Sequence, residues 1–266
     1  MTDFTTVQLE KDPRGFATLW LNRAEKNNAF NAEMIRELIL ALAAVSTDKT
    51  LRFLLLRGRG KHFSAGADLA WMQHSATLDY NANLAESHEL AELMYSLHSL
   101  AIPTLAVVQG AAFGGAVGLV SCCDMAIGSE DALFSLSEVR IGLAPAVISP
   151  FVVQAMGERA TRRYALTAER FSGRRAHELG LLAEVYPASE LDAQTEGWIN
   201  NLLLNSPQAM QVSKDLLREV ASGVLSVDLR HVTEQTIARI RVSPEGQEGL
   251  NAFLEKRTPA WQEPHA

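Results

Sequence analysis

Apolar residues recur along this chain at two spacings, and the change from one to the other divides it into elements. Residues 6–10 and 17–21 alternate apolar and polar positions on either side of Asp12-Pro13-Arg14-Gly15, a pattern that predicts a β-hairpin. Asn31 then stands as an N-cap before residues 32–46, where Met34, Ile35, Leu38, Ile39 and Leu42 fall at helical spacing. LRFLLLRG (residues 51–58) is a continuous apolar run ending in glycine, the pattern of a strand covered on both faces. A second round follows in the same order: a helix over 84–100, a strand over 104–109, a glycine-rich entry into another helix, and short strands at 125–127 and 133–135. The recurrence predicts an α/β fold of β-β-α turns. From about residue 188 the pattern is helical only, at 189–204, 207–221, 226–241 and 245–255. Residues 1–188 therefore read as a core and 189–266 as a helical module. The module's apolar faces exceed what the core needs, which predicts self-association.

Composition narrows the function classes. With 47% hydrophobic and 21% charged residues, a chain of 266 can bury a sizeable core, which rules out disorder. A net charge of -7 with no long basic run argues against nucleic acid as a partner. Cys122 and Cys123 are adjacent, which gives no disulfide framework and no metal-ligand spacing, and they fit a reducing compartment. The first fifteen residues are polar and charged where a signal peptide needs an apolar segment. The most apolar stretch, residues 102–127, is interrupted by Pro103, glycines and Asp124, so it predicts no membrane span. A cytoplasmic location without membrane or metal is expected.

Three segments can carry chemistry. HFSAGADL (62–69) follows a strand, and its small residues let backbone N–H groups approach a ligand, although an ordinary glycine loop reads the same way. Residues 110–118, GAAFGGAVG, link a buried strand to a helix whose first N–H groups favour developing negative charge; tight helix packing also needs small residues there. This second segment matches neither a P-loop nor a dinucleotide fingerprint. In SEVRIGLAP (137–145), Glu138 stands in an apolar stretch where desolvation raises a carboxyl pKa, so it is a candidate general acid/base. The alternative is a helix-start glutamate paired with Arg140.

Taken in order, LNRAEKNNAFN, FSAGADL, VQGAAFGG, CCDMAIG, FSLSEVRIGLAP, TAERFSGRRAHELGLLAEV and EGLNAFLEKRTPAW span nearly the whole chain, and together they resemble the enoyl-CoA hydratase/isomerase (crotonase) superfamily. The resemblance implies a crotonase-like spiral of β-β-α turns with a C-terminal helical module, assembled as a homotrimer or dimer of trimers. It implies an acyl-CoA substrate, so that coenzyme A enters as part of the substrate and no separate cofactor is expected. By position, the N–H groups of Ala67 and Gly115 would hold the thioester oxygen of an enolate. Lys26, Asn27 and Ala65 would contact the nucleotide, and Phe253 and Lys256 would reach it from the C-terminal helix.

One departure from the family pattern bears on the reaction. A typical hydratase carries two glutamates; here the second is Glu138 and the position of the first is Gly118. Glu138 alone could take the proton and return it, another polar group could fill the space at Gly118, or the enzyme could shift a double bond instead. Hydration is the preferred expectation because GAAFGGAVGLVSCCDMAIG, LSEVRIGLAPAVISPFVV and RRYALTAERF resemble the bacterial hydratases of 3-methylglutaconyl-CoA and isohexenylglutaconyl-CoA (γ-carboxygeranoyl-CoA), in leucine and acyclic terpene degradation. Ala146-Val147-Ile148 replaces a glycine-rich stretch of many relatives, implying either a more apolar acyl pocket or simple core packing. If the acyl group carries a second carboxylate, Arg140 is the nearest cation in sequence to Glu138. The alternatives are a Δ3,Δ2-enoyl-CoA isomerase and a non-catalytic acyl-CoA- or RNA-binding paralogue.

Overall fold

The hairpin at the start of the chain is closed by Asp12, whose carboxylate accepts from the N–H of Arg14 (2.9 Å) while its carbonyl accepts from Gly15 (3.0 Å) at φ +94°. In the computed structural model, which describes residues 4–262, this turn joins β1 (Val7–Asp12) and β2 (Phe16–Leu21), followed by α1 (Ala32–Thr47), β3 (Phe53–Gly58), α2 (Leu69–Ser75) and α3 (Tyr80–Ser99). Next come β4 (Thr104–Val108), β5 (Ala111–Phe113), α4 (Gly115–Cys122), β6 (Met125–Ser129) and β7 (Leu133–Ser135). A 3-10 turn at Glu138–Ile141 leads to α5 (Ser149–Met156), α6 (Glu158–Thr167), β8 (Phe171–Ser172), α7 (Gly173–Glu178) and β9 (Glu184–Tyr186). Four helices end the chain: α8 (Leu191–Leu203), α9 (Pro207–Ser222), α10 (Val227–Arg241) and α11 (Pro244–Glu255).

The strands form two sheets. The larger has the order β1-β2-β3-β4-β6-β9, antiparallel only between β1 and β2; the smaller has the order β5-β7-β8. Each turn of the spiral contributes a strand to the large sheet, then extended chain to the small one, then helix. The β3 turn does this through Ser64, which bridges to Ala112 of β5. Alternation explains why Phe53–Leu56 of β3 and Leu105–Val108 of β4 are apolar without a break. Leu54, Leu56, Ala106 and Val108 face the cluster holding α1, α3 and α4, whereas Phe53, Leu55, Leu105 and Val107 face Leu191, Ile199 and Leu202 of α8.

The expected elements are present with small shifts. Helix α3 starts at Tyr80, before its first apolar contact residues, because Asp79 caps it by accepting from Ala82 N–H (2.9 Å). The glycine-rich entry expected to be helix from its start is strand over Ala111–Phe113 first, since β7 supplies a partner. The boundary expected at 188 falls between β9 and α8, and α8 covers the outer face of the large sheet. Helices α9, α10 and α11 bury only Lys214 and Ala252. Lys214 ties α9 to the spiral: its Nζ donates to the Ile102 carbonyl (3.0 Å) and pairs with Asp124 (2.7 Å).

Candidate active site

Asn28 organises the first wall of the site. It is fully buried, and its side-chain amide donates to the carbonyls of Arg59 and His62 (both 2.8 Å) while its Oδ1 accepts from Arg23 N–H (2.9 Å). This locks the segment 23–30 against the loop after β3. There Ala65 N–H donates to the Asn27 carbonyl (2.9 Å), Phe30 N–H to Gly66 (2.7 Å) and Asp68 N–H to Phe30 (2.8 Å). Gly66 and Asp68 thus turn their polar groups toward Phe30. The N–H of Ala67, between them, donates to no acceptor among the described residues, and Ala67 is exposed.

The second wall is the start of α4. Gly114 sits at φ +54°, ψ -121°, a conformation that favours glycine, and donates to the Ser135 carbonyl (2.9 Å). The next residue, Gly115, opens the helix, so its N–H has no intrahelical acceptor and finds no other among the described residues. Both positions are also crowded. A Cβ at Gly115 would lie 3.3 Å from the Phe30 ring, and one at Gly114 would lie 3.2 Å from Oε1 of Glu138. The two walls touch: Phe113 N–H donates to Ser64 (3.1 Å), and a Cβ at Gly66 would come within 2.9 Å of the Phe113 carbonyl. Two free N–H groups, from Ala67 and Gly115, therefore come from segments in direct contact.

Glu138 joins them from the 3-10 turn after β7. Its Oε2 is buried without a hydrogen-bond partner. Burial pushes the carboxyl above its ordinary value, and the residue's own backbone N–H offsets only part of that rise. The alternative in which Arg140 neutralises Glu138 does not hold, because Arg140 Nη2 donates instead to the Ala168 carbonyl (3.1 Å), at the left-handed end of α6. A carboxyl that is desolvated, unpaired and over Gly114, the residue before the free N–H of Gly115, can move protons next to an oxyanion held there.

Of the alternatives at Gly118, the one in which another polar group fills the space does not hold. A Cβ there would lie 2.3 Å from Cγ2 and 2.8 Å from Cβ of Ile148, and 3.2 Å from Cε of Met94. The volume is taken by hydrocarbon. Ile148 reaches it because the 138–148 segment folds back before α5, whose N-cap it forms. Val147, half-buried, packs on the same core, while Ala146 is exposed, so within this aliphatic stretch it is Ile148 that packs against α4.

The remaining expected residues are spread out. Lys26 ends an exposed 3-10 turn, Ala24–Lys26, beside Asn27, which is left-handed at φ 52° and joined to Ala65 as above. Phe253 and Lys256 lie at the C-terminal end of α11, where Phe253 is 82% exposed; no hydrogen bond joins them to Lys26 or Asn27 among the described residues. Sequence reasoning missed Asn28 and Phe30. Both lie inside AEKNNAF, where the resemblance directed attention to Lys26 and Asn27 as ligand contacts and a buried amide carries no local signal.

A family model described as enoyl-CoA hydratase/isomerase matches residues 11–264. The chain belongs to that family. It is 33% identical to a putative enoyl-CoA hydratase of Thermus thermophilus over 95% of this chain and 99% of that one. It is 29% identical to 2,3-dehydroadipyl-CoA hydratase of Escherichia coli, over 91% and 92% of the two chains. Among solved structures, an enoyl-CoA hydratase from Shewanella pealeana is 49% identical and superposes with a TM-score of 0.93 over 97% of this chain and 96% of that one. The α/β architecture, a mostly parallel sheet followed by C-terminal helices, is the crotonase fold. As a member of the enoyl-CoA hydratase/isomerase family the chain is an enzyme of the hydro-lyase type, acting on acyl-CoA. No helix among the described residues is long and apolar enough to cross a membrane.

Proposed function

We propose that the enzyme hydrates an α,β-unsaturated acyl-CoA with Glu138 as its single acid/base. The observation that carries this reading is the Glu138 carboxyl itself, with Oε1 over Gly114, Oε2 buried without a partner, and hydrocarbon where a second carboxylate would stand. The ionised carboxylate takes a proton from water while the hydroxide oxygen bonds to Cβ. The Cα=Cβ electron pair shifts into the enolate, whose oxygen accepts from the Ala67 and Gly115 N–H groups. Glu138 then gives its proton to Cα, and the carboxylate is restored. One molecule of water is added, and the proton that leaves it returns to the product. Each preorganised N–H of this kind contributes about 2.7 to 4 kcal/mol to the transition state.

The nucleotide of the substrate lies along Lys26, Asn27 and Ala65, with Phe253 and Lys256 approaching from a second copy of the chain. Self-association as a homotrimer or a dimer of trimers is supported by the apolar surface on and between the terminal helices, where Leu225 is 92% and Leu254 74% exposed. A stable monomer in sedimentation at micromolar concentration would overturn it. For the acyl group we propose a branched glutaconyl chain, as in 3-methylglutaconyl-CoA or its isohexenyl counterpart. The sequence resemblance to those hydratases supports it, as does similarity to an enzyme named for 2,3-dehydroadipyl-CoA, a thioester that also carries a second carboxylate.

The single carboxylate favours one other reading, a Δ3,Δ2-enoyl-CoA isomerase, since one group can carry a proton between two carbons. The test incubates the purified enzyme with crotonyl-, 3-methylglutaconyl- and isohexenylglutaconyl-CoA and identifies products by mass: gain of one water means hydration, and unchanged mass with a moved double bond means isomerisation. In the same assay Glu138→Gln should lower kcat by about 10² to 10⁴ with little change in CoA affinity. Full activity of that variant would overturn the single-carboxylate mechanism.

A further inference from the structure

The loop bearing Ala67 and the strand leading to Gly115 are joined by one side chain the mechanism above does not use. Nδ1 of His62 lies 3.0 Å from the backbone N–H of Ala111, the first residue of β5. A backbone N–H can only donate, so Nδ1 must hold a lone pair and the ring proton must be on Nε2. The approach is close: a Cβ at Gly110 would fall 2.6 Å from Nδ1 and 2.2 Å from the Lys61 carbonyl, so residue 110 has no room for a side chain. His62 is fixed from its other end too, since its carbonyl accepts from Asn28 Nδ2 (2.8 Å).

Resting on the oxyanion reading above, we infer that neutral His62 is the positioning residue that sets the start of β5, and with it Gly115, against the Ala67 loop. Ala111 is only four residues before Gly115, and the strand between them has three residues. Protonation at Nδ1 would set an N–H against the N–H of Ala111. That exchanges an attractive contact for a repulsive one and pushes β5 away from the loop. Misplacement of a catalytic donor by about 1 Å can cost about 10²-fold in rate.

The surroundings keep the ring neutral. Burial, and after it the Lys61 ammonium, hold the imidazole below the ordinary histidine value of 6.5. Asn28, at the His62 carbonyl, and the backbone of Gly110 and Ala111, at its ring, carry no charge. Lys61, on the same loop, is the charge that acts on it. As pH falls, His62, held below its ordinary value, and Glu138, held above its own, each take up a proton, and both protonations lower turnover.

The test is a pair of variants read by kcat, KM and the acid limb of the pH profile on the substrate the enzyme turns over best. His62→Asn keeps an acceptor near the Nδ1 position and cannot titrate. It should keep kcat near the wild-type value at alkaline pH, while the slope of log kcat on the acid side falls from near two protons to one. His62→Leu should lower kcat by about ten- to a hundredfold with KM little changed. Equal slopes for wild type and His62→Asn, or full kcat in His62→Leu, would overturn the inference. A second measurement is independent of turnover and remains decisive if the leucine variant fails to fold. In solid-state spectra of the nitrogen-15-histidine-labelled enzyme, the signal missing from His62→Asn should report an unprotonated Nδ1 down to below the ordinary histidine pKa. A protonated Nδ1 at neutral pH would refute the inference while leaving the role of Glu138 untouched, and an active Glu138→Gln would do the reverse.

Discussion

Ile148 and Gly118 form one packing unit, and a double-mutant cycle measures it. In Gly118→Ala the new methyl carbon would lie 2.3 Å from Cγ2 of Ile148 and 3.2 Å from Cε of Met94, well inside the roughly 3.5 to 4.0 Å of ordinary carbon contact. Ile148 cannot turn aside easily. It is β-branched, hence stiff about χ1, and its carbonyl is held at 3.1 Å by the N–H groups of both Phe151 and Val152. Overpacking of this kind costs about 1 to 3 kcal/mol, against about 1 kcal/mol recovered from the better helix propensity of alanine. Ile148→Ala alone leaves a cavity and should cost about 2 to 5 kcal/mol. Combined, the methyl at 118 enters the space that Ile148 has vacated and the overpacking vanishes. The double variant should therefore be less destabilised than the sum of the singles by about 1 to 3 kcal/mol. Urea unfolding of the four proteins at one fixed concentration reads the coupling; additivity to within about 0.5 kcal/mol would refute the claim that Ile148 occupies the space over Gly118. The same contact decides Gly118→Glu. Alone it buries an unpaired carboxylate against Ile148 and Met94, so it should destabilise the enzyme without raising hydration of crotonyl-CoA; with Ile148→Ala it has room.

Two other substitutions test the site from its charges. The folded-state pKa of Glu138 is raised by burial, so wild-type stability is greatest when the carboxyl is protonated and declines as pH rises from the unfolded value, about 4.5, through the raised folded one; Glu138→Gln should gain stability relative to wild type across that window and hold the gain above it, and a gap in unfolding free energy that does not change with pH would contradict this. Arg140 is committed to the Ala168 carbonyl, so Arg140→Leu should reduce turnover of crotonyl-CoA and 3-methylglutaconyl-CoA by the same factor, whereas a loss confined to the glutaconyl substrate would show that its other N–H groups meet the second carboxylate.

How much of this was legible in the sequence depends on the range of the interactions involved. The terminal helices were, because amphipathic periodicity is local: the observed bounds fall within two residues of the expected ones, and Ser206, Ser226 and Ser243, which the periodicity did not name, cap them by accepting from the backbone three residues on. Strands β3 and β4 were legible because both faces are covered, which leaves an unbroken apolar run. The short strands β5, β8 and β9 were not, since two or three residues carry no period and each is strand only because a distant partner presents an edge. Helices α2, α5, α6 and α7, of six to ten residues, fall below the length at which periodicity speaks clearly.

The site divides in the same way. Glu138, Ala67 and Gly115 could be named from residue type and motif order, but what makes each of them usable is non-local. Glu138 is desolvated in a fold that sets its carboxyl over Gly114, 24 positions earlier in the sequence. Ala67 N–H is free because Phe30 takes the groups on either side of it. The loss of a carboxylate at 118 was visible, yet its replacement was not, since Ile148 lies 30 residues away in a segment that reads as plain core. That replacement constrains the chemistry more than the loss does. An empty or wet space at 118 could have held a water or a borrowed polar group to share the proton transfer, whereas a branched side chain packed against the helix excludes both. On the mechanism proposed above every proton that moves in the enolate step passes through Glu138, and this is why the energetic coupling between Ile148 and Gly118 and the turnover of Glu138→Gln test that one mechanism from two independent sides.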